Sequence, residues 1–485
     1  MSATSKTRTA RTHRRTLAIK TYSYKGVNRL GWVLASETFA GGLGFLVLVH
    51  QARHLGPASF ATFEYASAVL AWMLVLVRGG VDVIVYREAA RHPRLIRPLT
   101  DLLIGIRLVA AAIGYVLILM IAALVGAERG GAVAIAGLAL FVSARVSDVG
   151  LRATFRMREL AAAQVVRSLG VAASIYLVIQ GPADLLAAAF CLIAAECFGA
   201  FVPLWCHSKE HGWPRPRITY RAAIVLSRRG AVTGLTRFTR VTLYGLDILI
   251  LGSWAASEYG PYAAARRLVF AMIALGLVVP AVLGPAIARA WCEGTGPAKK
   301  RIAEALAGLW SLSLPAAVGI AITADRWMPL LFGEAYRGGG PWLALVAARL
   351  PWLLTASFAQ AALVACRREE WSLRLALGQL LLAVLIFPPA LYFTGPWGLG
   401  WGSQVVEMAG AVAGWAMLAR LGIAPGINAT IGRAFKGCLA MVVVCRFTKE
   451  ESLATVVIAG SLVYGFVWWV TRRRLDPVPR EIHTS

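Results

Sequence analysis

The sequence has few charged residues for its length. Only 15% of its 485 residues are Asp, Glu, Lys or Arg, whereas a soluble globular protein has about 25%. Hydrophobic residues make up 58% of the chain, and the mean hydropathy is +0.65. Because this composition cannot cover a core with a water-soluble surface, it excludes a soluble globular protein.

Long hydrophilic stretches and cysteine pairs are also scarce. The longest internal polar stretch, residues 207–229, is shorter than the roughly 50 residues of a small domain, so no soluble catalytic domain fits there. The seven cysteines form no C-x-x-C pair, and most lie in or beside apolar runs. They are typical of small buried hydrophobic residues, and we expect no metal and no cofactor.

Acidic residues are few, with 24 Asp and Glu against 50 Lys and Arg, a net charge of +26. In a soluble protein this excess would suggest nucleic acid, but here the charge lies between hydrophobic runs, and we expect no nucleic-acid partner. The basic residues 1–29 precede a full-length hydrophobic run rather than a short one with a cleavage site. We interpret them as a cytosolic tail, not a signal peptide.

Hydrophobic runs long enough to cross a membrane recur along the whole chain. They predict an all-α integral membrane protein with about fourteen transmembrane helices of about 20 residues each. The thirteenth, at residues 431–447, is the least regular. The predicted helices are centred near Phe39, Ala71, Ile113, Leu140, Ser174, Leu192, Thr242, Leu275, Ser313, Phe358, Leu381, Gly410, Val442 and Val463.

Positive charge alternates between successive loops. Because cytosolic loops of membrane proteins are enriched in Lys and Arg, this alternation predicts a multi-pass protein of the cytoplasmic (inner) membrane with both termini in the cytosol. The basic loops and tail contain Arg94, Arg156, Lys209, Lys300, Arg367, Arg433 and Arg472.

Two segments repeat across the chain. Residues 58–66 resemble residues 257–265, with Phe60 matching Tyr259 and Phe63 matching Tyr262. Because six predicted spans separate the copies, both run in the same direction, which indicates parallel repeats with a transport cavity between two bundles. The predicted organisation is a tail at 1–29, a six-helix bundle at 30–206, a cytosolic linker at 207–229, a second six-helix bundle at 230–420, and two extra helices with a tail at 421–485.

Five stretches resemble the polysaccharide/oligosaccharide flippase family (Wzx-like polysaccharide biosynthesis proteins) of the MATE-like MOP exporter superfamily. They are residues 52–60, 79–91, 246–252, 258–268 and 331–336. The resemblance implies an alternating-access carrier, not an enzyme, that translocates a polyprenyl-pyrophosphate-linked oligosaccharide for O-antigen, lipopolysaccharide or exopolysaccharide biosynthesis. It also implies contacts with membrane lipids and with polysaccharide polymerase machinery, and it leaves the glycan's identity open.

The seventh predicted helix carries four polar residues on one face, since Arg237, Arg240, Tyr244 and Asp247 follow helical spacing. An intramembrane arginine costs about 2.5–3.5 kcal/mol, so we expect this face to line a polar cavity; alternatively, Arg240 pairs with Asp247 or with a neighbouring helix. A guanidinium group stays charged and can donate two parallel hydrogen bonds to the oxygens of a phosphate. The predicted substrate-binding residues are Arg237, Arg240, Arg266, Arg267 and Arg349.

Acidic residues within the apolar runs are candidates for coupling to a proton or a sodium ion. These are Glu37, Asp247 and Glu407, for which an interhelical hydrogen bond is the alternative. Arg78 and Asp82 lie four residues apart, and an intrahelical ion pair explains them as well as a transport role does.

Three other functions remain open at this point. A drug or cation antiporter of the same superfamily would need an acidic cavity, whereas the predicted cavity is basic. A membrane glycan polymerase or glycosyltransferase would need carboxylates and a large external loop, and loops such as residues 394–397 are too short. The third alternative is a scaffold of an envelope-assembly complex.

Overall fold

The computed structural model describes residues 3–254, 259–426, 428–448 and 450–475, and the secondary structure within these ranges is entirely helical. Short 3-10 turns cover Pro93–Leu95, Pro182–Asp184 and Glu334–Gly339. The α-helices are α1 Ala3–Arg78, α2 Val81–Arg91, α3 Ile96–Leu124, α4 Ala127–Gly137, α5 Ala139–Ala144, α6 Val149–Ala153, α7 Met157–Val178, α8 Leu185–His211, α9 Tyr220–Trp254, α10 Gly260–Glu293, α11 Thr295–Phe332, α12 Gly340–Ala348, α13 Leu350–Ala365, α14 Glu369–Thr394, α15 Pro396–Arg420, α16 Asn428–Phe447 and α17 Leu453–Leu475.

These helices agree with the predicted transmembrane helices, because every predicted centre falls inside an α-helix. The first two spans both belong to α1, which is interrupted at Gly56, where φ is 69°. Glycine adopts this angle without the steric cost of a Cβ, and Pro57 has no N–H to continue the helix. We call the parts before and after Gly56 α1a and α1b. Within the described residues, nine helical segments are long and apolar enough to cross a membrane.

The helices form two halves. In the N-half, α1 to α8, helix α1 packs against α3 and α7, and α7 packs against α8. In the C-half, α9 to α15, helix α10 packs against α11 and α13, and α14 packs against α15. Helices α16 and α17 pack on each other and on α11 outside this bundle, while α1 contacts α9 and α10 across the boundary.

Contacts between distant loops show which ends of the helices lie together. Ser59 donates to the carbonyl of Pro182 at 3.0 Å, and Tyr336 donates to that of Ala52 at 3.0 Å. Arg156 pairs with Glu210 at the other ends of the helices. We call these two ends the opposite side and the basic side, respectively. Since alternate loops meet on the same side, the two halves run in parallel.

The repeated segments form the core of the boundary between the halves. Phe60, Phe63, Tyr259 and Tyr262 are all buried. A Cβ at Gly260 would collide with the carbonyl of Pro57, the residue before the first repeat, so the two segments approach each other at the backbone. The first residues of the second repeat, 257 and 258, lie outside the described residues.

Candidate functional site

One buried carboxylate organises the polar interior of the C-half. Asp247 of α9 is 3% exposed, and its Oδ2 accepts hydrogen bonds from the Tyr262 hydroxyl at 2.5 Å and from Arg266 Nε at 3.0 Å. Nη1 of Arg349 lies 3.7 Å from the same oxygen. The Ile248 backbone N–H donates to Oδ1 at 2.8 Å. One carboxylate thus holds two arginines.

Arg349 reaches this carboxylate because it stands between α12 and α13. Pro351, at the start of α13, lacks an N–H, and the Arg349 N–H bonds to the Val346 carbonyl at 3.4 Å instead of continuing the helix. The guanidinium lies 5.4 Å from the ring centroid of Phe270, which favours a cation there. Its Nε and Nη2 atoms have no hydrogen-bond partner among the described residues.

A small cavity adjoins this cluster. Its volume is about 10 Å³, room for about one water molecule. The Tyr244 hydroxyl also lies 2.9 Å from Ser357 Oγ, where either atom can donate. Glu407 of α15 is buried at the cavity. The polar lining comprises Tyr244, Asp247, Arg349, Ser403 and Glu407.

The predicted polar face of the seventh span is the face of α9 that leads to this cavity. The Arg240 guanidinium lies 5.9 Å from the Tyr244 ring centroid, and Arg237 is one turn earlier and exposed. In the described part of the chain, neither arginine forms an ion pair, so the alternative pairing of Arg240 with Asp247 is wrong. Asp247 instead pairs with arginines from other helices.

The five predicted substrate-binding arginines therefore differ in accessibility. Arg266 and Arg349 are 7% and 5% exposed and are held by Asp247. Arg240 is half-buried and Arg237 is exposed. Of these five, Arg237 and Arg240 on α9 are the two that form no ion pair within the residues that the structure describes.

Arg267 lies elsewhere, at the boundary between the halves. Its Nη1 is 3.7 Å from Oε2 of Glu64 on α1b, a buried carboxylate whose Oε1 has no hydrogen-bond partner among the described residues. Nearby, Arg53 donates to the carbonyls of Leu331 at 2.6 Å and Leu330 at 2.5 Å, at the end of α11. These contacts join the two halves on the opposite side.

A second polar cavity lies inside the N-half, with a volume of about 250 Å³. Glu196 accepts hydrogen bonds there from Arg78 at 2.6 Å and Arg167 at 3.0 Å. Arg152 pairs with Asp148 at 2.5 Å, and the predicted coupling candidate Glu37 is exposed at the same cavity. Three arginines thus face three carboxylates.

Of the two explanations considered for Arg78 and Asp82, the intrahelical ion pair is wrong. The helix is interrupted at Gly79, where φ is 36°, so the two side chains no longer share a face. Arg78 pairs with Glu196, and Asp82 pairs with Arg107 of α3 at 2.8 Å. Sequence reasoning missed Arg107 and Arg167, although each is an arginine inside an apolar run and could have been found on that ground.

Comparison with known proteins identifies the family of this chain. A model of the family described as polysaccharide biosynthesis protein matches residues 27–291, more than half of the chain. A search of curated proteins finds no significant match.

Solved structures share the fold at low sequence identity. The lipid II flippase MurJ, in an inward closed conformation, superposes with a TM-score of 0.76 at 14% identity, covering 92% of this chain and 99% of that one. An inward-facing multidrug resistance MATE family transporter of the MOP superfamily superposes with a TM-score of 0.62 at 15% identity, covering 79% of this chain and 94% of the transporter. A MOP superfamily transporter from Pyrococcus furiosus Vc1 superposes with a TM-score of 0.53 at 17% identity, covering 81% of this chain and 96% of that transporter. This chain, a multi-pass membrane protein with the fold of MOP superfamily transporters, belongs to the polysaccharide biosynthesis protein family.

Proposed function

We propose that the protein is a flippase that moves a polyprenyl-pyrophosphate-linked oligosaccharide across the cytoplasmic membrane by alternating access. The family match over residues 27–291 supports a role in polysaccharide biosynthesis, and the fold it shares with a lipid II flippase supports transport rather than enzymatic catalysis. The observation that carries the proposal is the pair Arg237 and Arg240. Within the described residues neither arginine forms an ion pair, although the charge of Arg240 acts on Glu407. An intramembrane arginine needs a polar partner, and a phosphate group supplies one.

The charge distribution supports an orientation for this transport. Lys and Arg concentrate on the basic side, which by the positive-inside rule is cytosolic, together with both termini. The glycan would then pass from the cytosolic to the external leaflet of the inner membrane. There it would become available to polymerase machinery for an O-antigen, a lipopolysaccharide or an exopolysaccharide.

The five arginines would act at different stages. Arg237 and Arg240 are free to bind the pyrophosphate, whose oxygens match the paired donors of a guanidinium. Arg266 and Arg349 would become available only when Asp247 releases them, and Arg267 only when it leaves Glu64.

Coupling to an ion would act through the buried carboxylates. A proton or a sodium ion at Asp247 would neutralise the charge that holds Arg266 and Arg349. Glu407, which lines the same cavity, and Glu37 in the N-half cavity are the other candidates. An ion can switch the protein between two conformations only if it binds one of them more tightly than the other.

Replacing Arg237 and Arg240 with alanine tests the phosphate site. Hydrogen bonds to charged groups contribute about 1.5–3 kcal/mol each, so each single variant should lower glycan export about tenfold or more. The amount of inserted protein should not fall, since removing an intramembrane charge relieves a cost. Lysine should restore export only in part, because it keeps the charge but loses the paired donors.

The matched control is Arg374→Ala, which removes an exposed arginine of α14 and should leave export unchanged. Export by the Arg237→Ala/Arg240→Ala double variant at the parental rate would place the phosphate site elsewhere. Export of a cationic dye, with no movement of the glycan, would favour an antiporter instead.

A further inference from the structure

A groove on the basic side lies where the segment connecting the two halves crosses the start of α3. We call it the linker groove. Its volume is about 560 Å³, and it lies outside both charged cavities described above. Its lining includes Leu95, Arg97, Leu99, Asp101, Arg215 and Arg217.

The backbone of the connecting segment is fixed to α3 at this groove. The N–H of Arg215 donates to Asp101 Oδ1 at 2.8 Å, and the N–H of Arg217 donates to the Asp101 carbonyl at 3.1 Å. Gly105, one turn further along α3, allows the Arg217 carbonyl to approach, because a Cβ at that position would collide with it. Asp101 therefore binds the backbone of the segment rather than its guanidinium groups.

The guanidinium groups at the groove are left without counter-ions. Arg97, Arg215 and Arg217 are exposed, and none forms an ion pair or a side-chain hydrogen bond among the residues that the structure describes. Asp101, the single carboxylate in the lining, is buried and already accepts the Arg215 N–H. The groove consequently presents a concentrated positive charge.

The surroundings of the groove place it at the membrane surface. Trp213 and Tyr220, at the two ends of the connecting segment, are 69% and 77% exposed, and Leu95 is 45% exposed. Tryptophan and tyrosine are enriched where the hydrocarbon core meets the headgroups. Helix α3 continues from the groove into one of the most apolar segments of the chain.

From this combination we infer that the linker groove binds the headgroup of an anionic phospholipid. The phosphodiester would accept hydrogen bonds from Arg97, Arg215 and Arg217, as phosphate oxygens do from guanidinium donors, and the acyl chains would lie along apolar α3. Basic pockets at the cytoplasmic membrane surface bind anionic headgroups in this way. The lipid would fasten the segment that joins the two halves, and this inference does not depend on which substrate is transported.

Binding of short-chain lipids to the purified full-length protein in neutral detergent tests the inference. Dioctanoyl phosphatidylglycerol, dioctanoyl phosphatidylcholine and inorganic phosphate are each titrated, and bound lipid is measured by native mass spectrometry. We expect saturable binding of phosphatidylglycerol and much weaker binding of phosphatidylcholine. Full occupancy by inorganic phosphate at the same concentration would contradict a lipid site and indicate a soluble anion instead.

Two double variants separate a built site from general attraction between charges. Arg215→Ala/Arg217→Ala should weaken phosphatidylglycerol binding about thirtyfold, since each basic residue near a membrane surface contributes about 1 kcal/mol. Lys299→Ala/Lys300→Ala removes two exposed cations of α11, also on the basic side, and should change binding less than twofold. Equal losses in both double variants would overturn the inference.

Arg97→Ala provides an independent measurement, because it alters α3 and leaves the connecting segment intact. It should weaken phosphatidylglycerol binding several-fold and leave the phosphatidylcholine response unchanged. Unchanged phosphatidylglycerol binding in both Arg97→Ala and Arg215→Ala/Arg217→Ala would show that the lipid binds elsewhere.

Discussion

At the scale of single residues, the buried carboxylate of Asp247 shows what sequence reasoning can and cannot reach. Helical spacing placed Tyr244 and Asp247 on one face of α9, and both line the C-half cavity. The partners Arg266 and Arg349 belong to α10 and the α12–α13 junction and meet Asp247 only in the folded protein. Periodicity within one helix carries no information about such contacts.

Removing the Asp247 carboxylate should be strongly destabilising. Asp247→Ala leaves Arg266 and Arg349 buried without a counter-ion, and breaking a buried ion pair in this way costs about 3–5 kcal/mol. The expected result is a large fall in the Tm of the purified protein or in the yield of monodisperse protein. Glu370→Ala breaks the exposed pair with Arg374 on α14 and should have no measurable effect. Equal stability of the two variants would contradict the assigned role of Asp247.

At the scale of helices, the sequence predicted the spans better than their interruptions. The thirteenth helix, predicted at residues 431–447, coincides with α16 Asn428–Phe447, which is not one of the nine candidate spans within the described residues. Helix α8 ends at His211 and α9 begins at Tyr220, so residues 212–219, within the linker predicted at 207–229, connect the two helices. Pro57 and Pro351 signal two of the interruptions, but the interruption at Leu138 has no such signal.

The close backbone contact at Gly260 predicts that a larger residue there lowers the stability of the protein. Gly260→Ala should destabilise the protein by about 1–3 kcal/mol, because the added methyl group meets the Pro57 carbonyl and the helices must move apart. Gly245→Ala in α9 is the matched control, since a Cβ there has no neighbour within 4 Å. It should be neutral or slightly stabilising. Thermal unfolding followed in detergent distinguishes the two, and equal effects would show that the repeats are not in tight contact.

At the scale of the whole molecule, the internal repeat correctly predicted two parallel halves. It could not predict where the halves touch, because this depends on contacts between residues far apart in the chain. The halves meet on the basic side, where a Cβ at Gly80 would collide with the Gly230 carbonyl, and on the opposite side. Arg53 reaches the carbonyls of Leu330 and Leu331, and Tyr336 reaches that of Ala52. A charged group that satisfies the last carbonyls of a helix is stabilising, so these contacts favour the state closed on the opposite side.

Arg53→Ala should therefore open the opposite side more often. The loss of two hydrogen bonds from an exposed guanidinium, each worth about 0.5–1.5 kcal/mol, should raise hydrogen exchange at residues 58–66 several-fold. Lys299→Ala, on the basic side, should leave exchange in this segment unchanged. An unchanged rate in Arg53→Ala would mean that other contacts hold the halves together.

The most direct test of the central claim is a leaflet-resolved assay in proteoliposomes. Purified protein is reconstituted with a fluorescent polyprenyl-pyrophosphate-linked oligosaccharide, and the fraction reaching the other leaflet is followed with a membrane-impermeant quencher. We expect protein-dependent translocation, at least tenfold slower in the Arg237→Ala/Arg240→Ala variant and unchanged in Arg374→Ala. Translocation no faster than in protein-free liposomes, across a panel of such glycans and with both a proton and a sodium gradient applied, would contradict the assignment of this protein as a flippase.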